Sequence, residues 1–307
     1  MYINHLFWGV VKDCPDWFMW GPVNLNFTII ARIEKRTVKQ LFHIEQPEAG
    51  EQVQKQLLLS LGEAHCSFAI TNVDGTKLYK LFYYAITAGE NALPVLLEQH
   101  QELNDTFYKV LLSYDHPQST LVPWSQFRHE EGLNLLRSLY GINGSSTVIS
   151  ESIGDWQLYN VFAVPSILHE LVSRKYPAGQ YWHLYSAAIK NIHAAEDAGH
   201  LLVDFRKNDF IVVAVANGQL LLTQTFLYST PEDVLYYLLK TVQQLGLSQQ
   251  EVKLSLSGLI DKQSALYKEL YQYFLHLEFR EAAWEIVNSD YPAHFFTSLN
   301  DLVKCAS

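Results

Sequence analysis

From residue 201 to 226 the chain reads LLVDFRKNDFIVVAVANGQLLLTQTF, with its apolar positions in unbroken blocks rather than at helical spacing. Residues 201–205 and 210–216 are rich in Val, Ile and Leu, the composition of strands buried on both faces. A short polar turn, residues 206–209, separates them. Asn217-Gly218 then supplies the dipeptide that most readily takes the two positive φ angles of a type I′ hairpin, and residues 220–226 return as a third strand. In Ser229-Thr230-Pro231-Glu232-Asp233, Thr230 suits an N-cap, Pro231 the first helical position, and the two acids the positive end of the helix dipole. A helix is therefore predicted to run to about Gly246, with a fourth strand over residues 252–257.

The same succession occurs earlier. Strands are predicted over residues 57–63, 66–72 and 77–86, with an Asp74-Gly75 turn before the third. A helix follows near residues 90–100, then a strand over 108–113. Matching elements lie about 144 residues apart in the same order, which reads as two copies of one unit. Three antiparallel strands, a crossover helix and a parallel fourth strand form the core of a ribonuclease H-like fold. The fold class is α/β, with two tandem ribonuclease H-like units.

Between the copies, residues 120–123 read as a fifth strand and 124–140 as a helix on which Phe127, Leu133, Leu136 and Tyr140 share a face. Residues 147–153 and 158–164 form a hairpin around Gly154-Asp155. A helix over 165–176, a strand over 181–185 and a helix near 187–193 follow. The second copy continues with a helix over 264–274, a strand over 275–279 and a terminal helix over 292–304. Its stripe of Phe295, Phe296, Leu299, Leu302 and Val303 is expected to be core. The domain reading is an N-terminal extension over 1–36, a first ribonuclease H-like domain with an insertion over 37–195, and a second over 196–307. The extension holds Trp8, Trp17 and Trp20, a strand pattern over 25–33, and both methionines, Met1 and Met19. Two readings of it stay open: an artefact of the assigned start, with natural initiation downstream near Val38, or an aromatic arm packed on the body.

At 307 residues, 49% hydrophobic and 18% charged, the chain has the composition of a folded protein with room for two cores. Its net charge of -10 and the lack of any Lys/Arg cluster argue against nucleic acid as a partner. Cys14, Cys66 and Cys305 are too scattered for a disulfide framework or a zinc pattern, so a reducing cytoplasm is expected. No apolar run reaches the roughly 20 residues of a membrane span, and the first residues lack the basic and small-residue signals of a secretory leader.

Two tandem units of this kind resemble the actin-like ATPase superfamily, which includes actin, Hsp70, sugar kinases and the pilus-assembly protein PilM. Over residues 37–307 the segments FHIEQPEAGEQVQKQLLLSLGEAHCSFAI, STLVPWSQF, VFAVPSILHELVSRKYP, YWHLYSAAI and LLVDFRKNDFIVVAVANGQL resemble a Bacteroidetes family, domain of unknown function 3822. That resemblance implies an actin-like ATPase fold and little chemistry, since fold does not dictate function. In active members of the superfamily ATP sits between the domains, with glycine-bearing turns around the phosphates and an Asp in each first strand. Carried onto this chain, the positions are Ser60, Gly62, Asp204, Arg206 and Gly258. Only Asp204 retains the acid, and it is the one catalytic candidate. Ser60 replaces the other acid, Gly62 keeps a glycine, and residues 206–209 put bulky and charged side chains where glycines belong. Gly258 stands alone where a pair is usual. The nucleotide site is therefore read as degenerate, Arg206 as part of a solvated turn, and no cofactor is expected. The leading function is a non-catalytic actin-like scaffold or binding protein with a protein partner. The alternative is an ATPase or phosphotransferase using ATP and Mg²⁺ in the interdomain cleft.

Other chemistries find less support. A two-metal nuclease needs several converging carboxylates, and Ser255 and Ser257 occupy strand positions where acids would help. His193, Glu196, Asp197 and His200 have metal-binding atoms without a one-face register, so they read as a solvated connector and no metal site is expected. His183 is expected to be a hydrogen-bonded structural residue. Residues 141–146, GINGSS, lack the lysine and the following helix of a phosphate loop and read as a turn.

Overall fold

A computed structural model describes residues 38–46, 54–87, 91–142, 144–192, 199–286 and 290–305. The N-terminal extension, its strand pattern and its two readings lie outside the described residues, as do His193, Glu196 and Asp197.

Along the chain, β1 (Val38–Glu45), β2 (Lys55–Gly62), β3 (His65–Asn72) and β4 (Leu78–Ile86) precede α1 (Ala92–Gln99) and β5 (Lys109–Asp115). Then come β6 (Ser119–Pro123), α2 (Gly132–Tyr140), β7 (Ser146–Ile153), β8 (Leu158–Pro165) and α3 (Ser166–Lys175). β9 (Gln180–His183) runs straight into α4 (Leu184–Asn191). The second part holds β10 (His200–Phe205), β11 (Asp209–Ala216), β12 (Gln219–Leu227), α5 (Pro231–Gln244), β13 (Lys253–Gly258), α6 (Ala265–Tyr273) and β14 (His276–Phe279). Two short helices, α7 (Thr297–Asn300) and α8 (Leu302–Cys305), close it.

Two large sheets share one strand order. The first runs β1-β4-β3-β2-β5-β9 and the second β12-β11-β10-β13-β14. In each, three antiparallel strands adjoin two parallel ones, the ribonuclease H-like arrangement; β1 is an added antiparallel edge. The local signals work as the sequence predicts. Asn217 (φ 50°) and Gly218 (φ 71°) form the tight β11–β12 turn, and Thr230 and Asp233 cap α5 reciprocally.

The unbroken apolar runs follow from burial on both faces. Leu201, Val203, Phe205, Val212 and Ala214 pack beneath α5 and α6, while Leu202, Ile211, Val213 and Val215 face Leu184, Ala188 and Ile189 of α4. On the first sheet, Leu57, Leu59 and Phe68 lie under α1 and α3, whereas Leu58, Ala69, Leu78 and Leu81 meet Phe296, Leu299 and Leu302. The terminal stripe is thus core, and it lies against the first sheet although it follows the second in sequence.

One strand was not expected, and three expectations need correction. The strand Val38–Glu45 carries three charged or ionisable outward groups in a short alternation and gave no strand signal by itself; pairing to β4 makes it one. Residues 120–123 are not the fifth strand of the first unit: β6 pairs antiparallel with β8 in a separate three-stranded sheet, β6-β8-β7, and β9 takes the fifth place beside β5. The helix expected from residue 124 begins at Gly132, because Trp124 is tied to the sheet through its N–H to Gln157 O (3.0 Å) and its Nε1–H to Leu158 O (3.0 Å). The terminal helix is broken into a 3₁₀ turn (Ala293–Phe296), α7 and α8.

A buried polar network fastens the three-stranded sheet to α4. Ser119 Oγ donates to Asn160 Oδ1 (2.6 Å), Asn160 Nδ2 to Ser186 Oγ (2.9 Å), and the His183 N–H to Glu151 Oε1 (2.9 Å). His183 is fully buried and its ring bonds the His116 carbonyl (2.8 Å), the structural role expected for it. Burial pushes the Glu151 carboxyl up to about 7, against the pull of Ser186, His183 and Lys190. A carboxyl whose folded value is raised contributes stability that is present below its ordinary value and lost as pH rises through the folded one. Glu151→Gln keeps an acceptor for the His183 N–H without the charge. It is expected to stabilise the protein by roughly 2 kcal/mol at pH 8 and not at pH 5. Urea midpoints at the two pH values measure this, and equal gains at both would contradict it.

Candidate functional site

The parallel pairings bring corresponding residues of the two units to the space between the sheets. Ser60 on β2 stands beside Ser113 on β5, and Ser113 Oγ donates to Ser60 Oγ (3.0 Å). Asp204 on β10 stands beside Ser257 on β13, and Ser257 Oγ donates to Asp204 Oδ1 (2.6 Å). Serine and aspartate at equivalent places are each satisfied by a serine on the neighbouring strand. Asp204 is 4% exposed, and burial raises its carboxyl above the usual carboxylate range despite the Ser257 bond and the fields of Arg280 and Arg206.

Arg206 does not sit in a solvated turn, as its sequence context suggested: it is 6% exposed. Its backbone N–H bonds Asp209 O (2.8 Å), which closes the β10–β11 turn and directs the side chain inward. The guanidinium then meets a carboxylate from each sheet. Nη1 donates to Asp115 Oδ2 at the end of β5 (2.5 Å), and Nε donates to Asp209 Oδ1. Arginine suits this position because its planar fork serves two acceptors at once. His65 on β3 approaches the same Asp115 oxygen through Nε2 (3.3 Å) and stacks on Tyr83, with ring centroids 5.6 Å apart.

The electrostatics follow from burial and pairing. Burial opposes ionisation of Asp115, yet Arg206, then His65 and His183, outweigh it and hold the carboxyl below its ordinary value. Burial likewise opposes the Arg206 charge, and Asp115 and Asp209 reverse that and push its value up. His65 is held below the usual imidazole value by burial, with Asp115 pulling the other way. The cluster is thus an ionised Arg206 paired with Asp115 and Asp209, with the His65 ring beside Asp115.

Four of the five candidate positions, Ser60, Asp204, Arg206 and Gly258, border one cavity between the sheets. Its volume is about 20 Å³, room for one water and far too little for a nucleotide. Gly258 is there for a backbone reason. Its φ is +79°, and a Cβ would fall 2.0 Å from Phe205 O, where Leu259 N–H makes its 2.7 Å bond. Gly62 faces elsewhere, into a cavity of about 410 Å³ bordered by Glu63, Leu93, His116 and Leu168. Among the described residues no group of three or more His, Cys, Asp or Glu side chains converges as a metal site, and no helix is long and apolar enough to cross a membrane. His200 bonds Ser255 Oγ (2.8 Å) rather than standing free in a connector.

Asp115, His65 and Asp209 were not singled out from the sequence. Asp115 lies two residues beyond Ser113 on the same strand face, a period-two signal that was available. His65 offered none, since its partner is distant in sequence.

Comparison with known proteins follows this geometry. The profile of the family described as protein of unknown function (DUF3822) matches residues 45–277. A Bacteroides thetaiotaomicron protein with an actin-like ATPase fold and unknown function is similar at TM-score 0.69 and 18% identity, covering 85% of this chain and 99% of that one. A chain of the PilM–PilN type IV pilus biogenesis complex is similar at TM-score 0.51 and 12% identity, covering 81% of this chain and 97% of that one. Among curated proteins no match was found.

Proposed function

The chain belongs to the DUF3822 family and has the actin-like ATPase fold, and from that premise we propose that it is a non-catalytic actin-like scaffold of the cytoplasm that binds a protein partner. One observation carries the reading. The side chain of Arg206 occupies the space between the two sheets and joins Asp115 of the first to Asp209 of the second. A guanidinium already paired with two carboxylates has no free charge for a phosphate, and both carboxylates would repel one. Asp204, the retained acid, accepts from Ser257 and is kept towards its neutral form by burial, which suits neither metal binding nor the orientation of an attacking water. The two units are thus latched by charge where active relatives close on nucleotide. A rigid, latched body serves recognition by its outer surfaces. The PilM–PilN complex is a precedent for a chain of this fold assembling with a second protein, and its resemblance concerns the fold alone.

The test is a thermal-shift and calorimetric titration with Mg-ATP. A ligand at a hundred times its Kd stabilises the native state by about 2.7 kcal/mol. No saturable heat and no shift in Tm are expected up to millimolar ATP. A saturable shift that Asp204→Ala abolishes would overturn the proposal in favour of an ATP-binding enzyme using the cleft.

A further inference from the structure

The second sheet ends at β12, and among the described residues that edge differs from the other ends of the two large sheets. β1 carries Lys39, His43 and Glu45, and β9 and β14 are four residues long. Charge, brevity and proline are the devices by which proteins protect strand edges from pairing with other chains. β12 has none of these three, and its one bulge, a further such device, lies near its start at Leu221. It is nine residues, QLLLTQTFL, without charge or proline, and among the described residues it pairs only with β11. Leu222 and Phe226 are half-buried, Leu227 is 75% exposed, and Phe226 stacks on Tyr237 of α5 at 4.8 Å, next to the exposed Tyr236. An incoming strand would find a backbone edge and an apolar margin together, displacing the Gln224 Nε2–H that now donates to Thr225 O (3.1 Å).

We propose that this edge pairs with the same edge of a second copy of the chain, antiparallel, about a twofold axis through Gln224. The sequence of the strand selects that occupant. A bulge at Leu221, where pairing with β11 shifts between Ala214 and Val215, leaves residues 222–227 as the regular segment. A twofold axis normal to the sheet keeps each face continuous, so only residues on the same face can stand opposite one another. Centred on Gln224, Leu222 meets Phe226 of the second copy on the α5 face. Thr223 meets Thr225 on the opposite face, and Gln224 meets Gln224. Aliphatic–aromatic and threonine pairs of this kind favour cross-strand association. The register also places no charge opposite a charge, although each chain carries -10. The result is one continuous sheet of two five-stranded halves.

Sedimentation equilibrium of the full chain at micromolar concentrations tests the pairing. The wild-type chain is expected to be a dimer and Gln224→Lys a monomer, since the substitution sets two ammonium groups face to face. Gln224 is exposed, so the folded protomer should keep its circular dichroism and its urea midpoint measured at low concentration. An equimolar mixture of Gln224→Lys and Gln224→Glu should restore a heterodimer. Facing Cα atoms in an antiparallel pair lie about 4.5–5.5 Å apart, within disulfide range. Gln224→Cys in a Cys14→Ser background should therefore cross-link under mild oxidation. A monomeric wild-type chain, or a dimer that survives Gln224→Lys and does not cross-link, would overturn the proposal.

Discussion

Arg206→Met is expected to lower the unfolding free energy by about 3 kcal/mol at pH 7, because it leaves the Asp115 and Asp209 side chains, 11% and 14% exposed, without their shared cation. The pH dependence identifies the cause. In the wild-type chain Asp115 is held below its ordinary value, so its contribution is present above the unfolded value and is lost as pH falls through the lower folded one. In the variant the carboxyl loses that partner and burial dominates, which moves its folded value above the unfolded one. The cost is then full at neutral pH and shrinks in acid as the variant's Asp115 takes up its proton, while the wild-type carboxyl stays ionised until pH falls through its lowered value. Urea denaturation from pH 7 down to pH 4 measures the difference. A cost independent of pH would show that lost packing, rather than the unpaired carboxylates, is responsible. Adding Asp115→Asn to Arg206→Met should recover part of the loss, since replacing both partners of a buried pair costs less than removing one.

Gly258→Ala is expected to cost at least about 3 kcal/mol, and the chain bearing it to be recovered poorly in folded form. Two effects combine. The position has φ +79°, and the added Cβ would meet Phe205 O at 2.0 Å and Phe205 N at 2.7 Å, backbone atoms of a central strand that cannot swing aside. Gly218→Ala isolates the first effect, for its φ is +71° with nothing within 4 Å of the added carbon. That substitution should cost only about 1 kcal/mol. Paired thermal melts of the two variants give the comparison, and similar losses would refute the steric account. Strand packing gives Gly258 a backbone reason of its own.

These two residues show where sequence reasoning works and where it fails. The order of strands and helices was legible because local chemistry and burial agree: Asn217-Gly218 makes the hairpin, Thr230 with Asp233 starts α5, and the Val- and Leu-rich runs are buried on both faces. Ser119–Pro123 was a strand but went to another sheet, since period and propensity do not say which strand a strand will join. β1 was missed because its polar alternation becomes a strand only through β4. At the candidate site, Ser60, Asp204, Arg206 and Gly258 border one cavity, while Gly62 faces a different one and Asp115 was overlooked.

By itself the sequence determined the strand and helix succession and the ribonuclease H-like units it implies. Each rests on interactions within a few residues or on composition, which the linear order contains. Only the tertiary structure decided that Arg206 turns inward to Asp115, 91 residues away, instead of into solvent. A charged side chain in a polar turn is stable in water unless an opposite charge waits in the interior, and that partner is supplied by the packing of one sheet against the other.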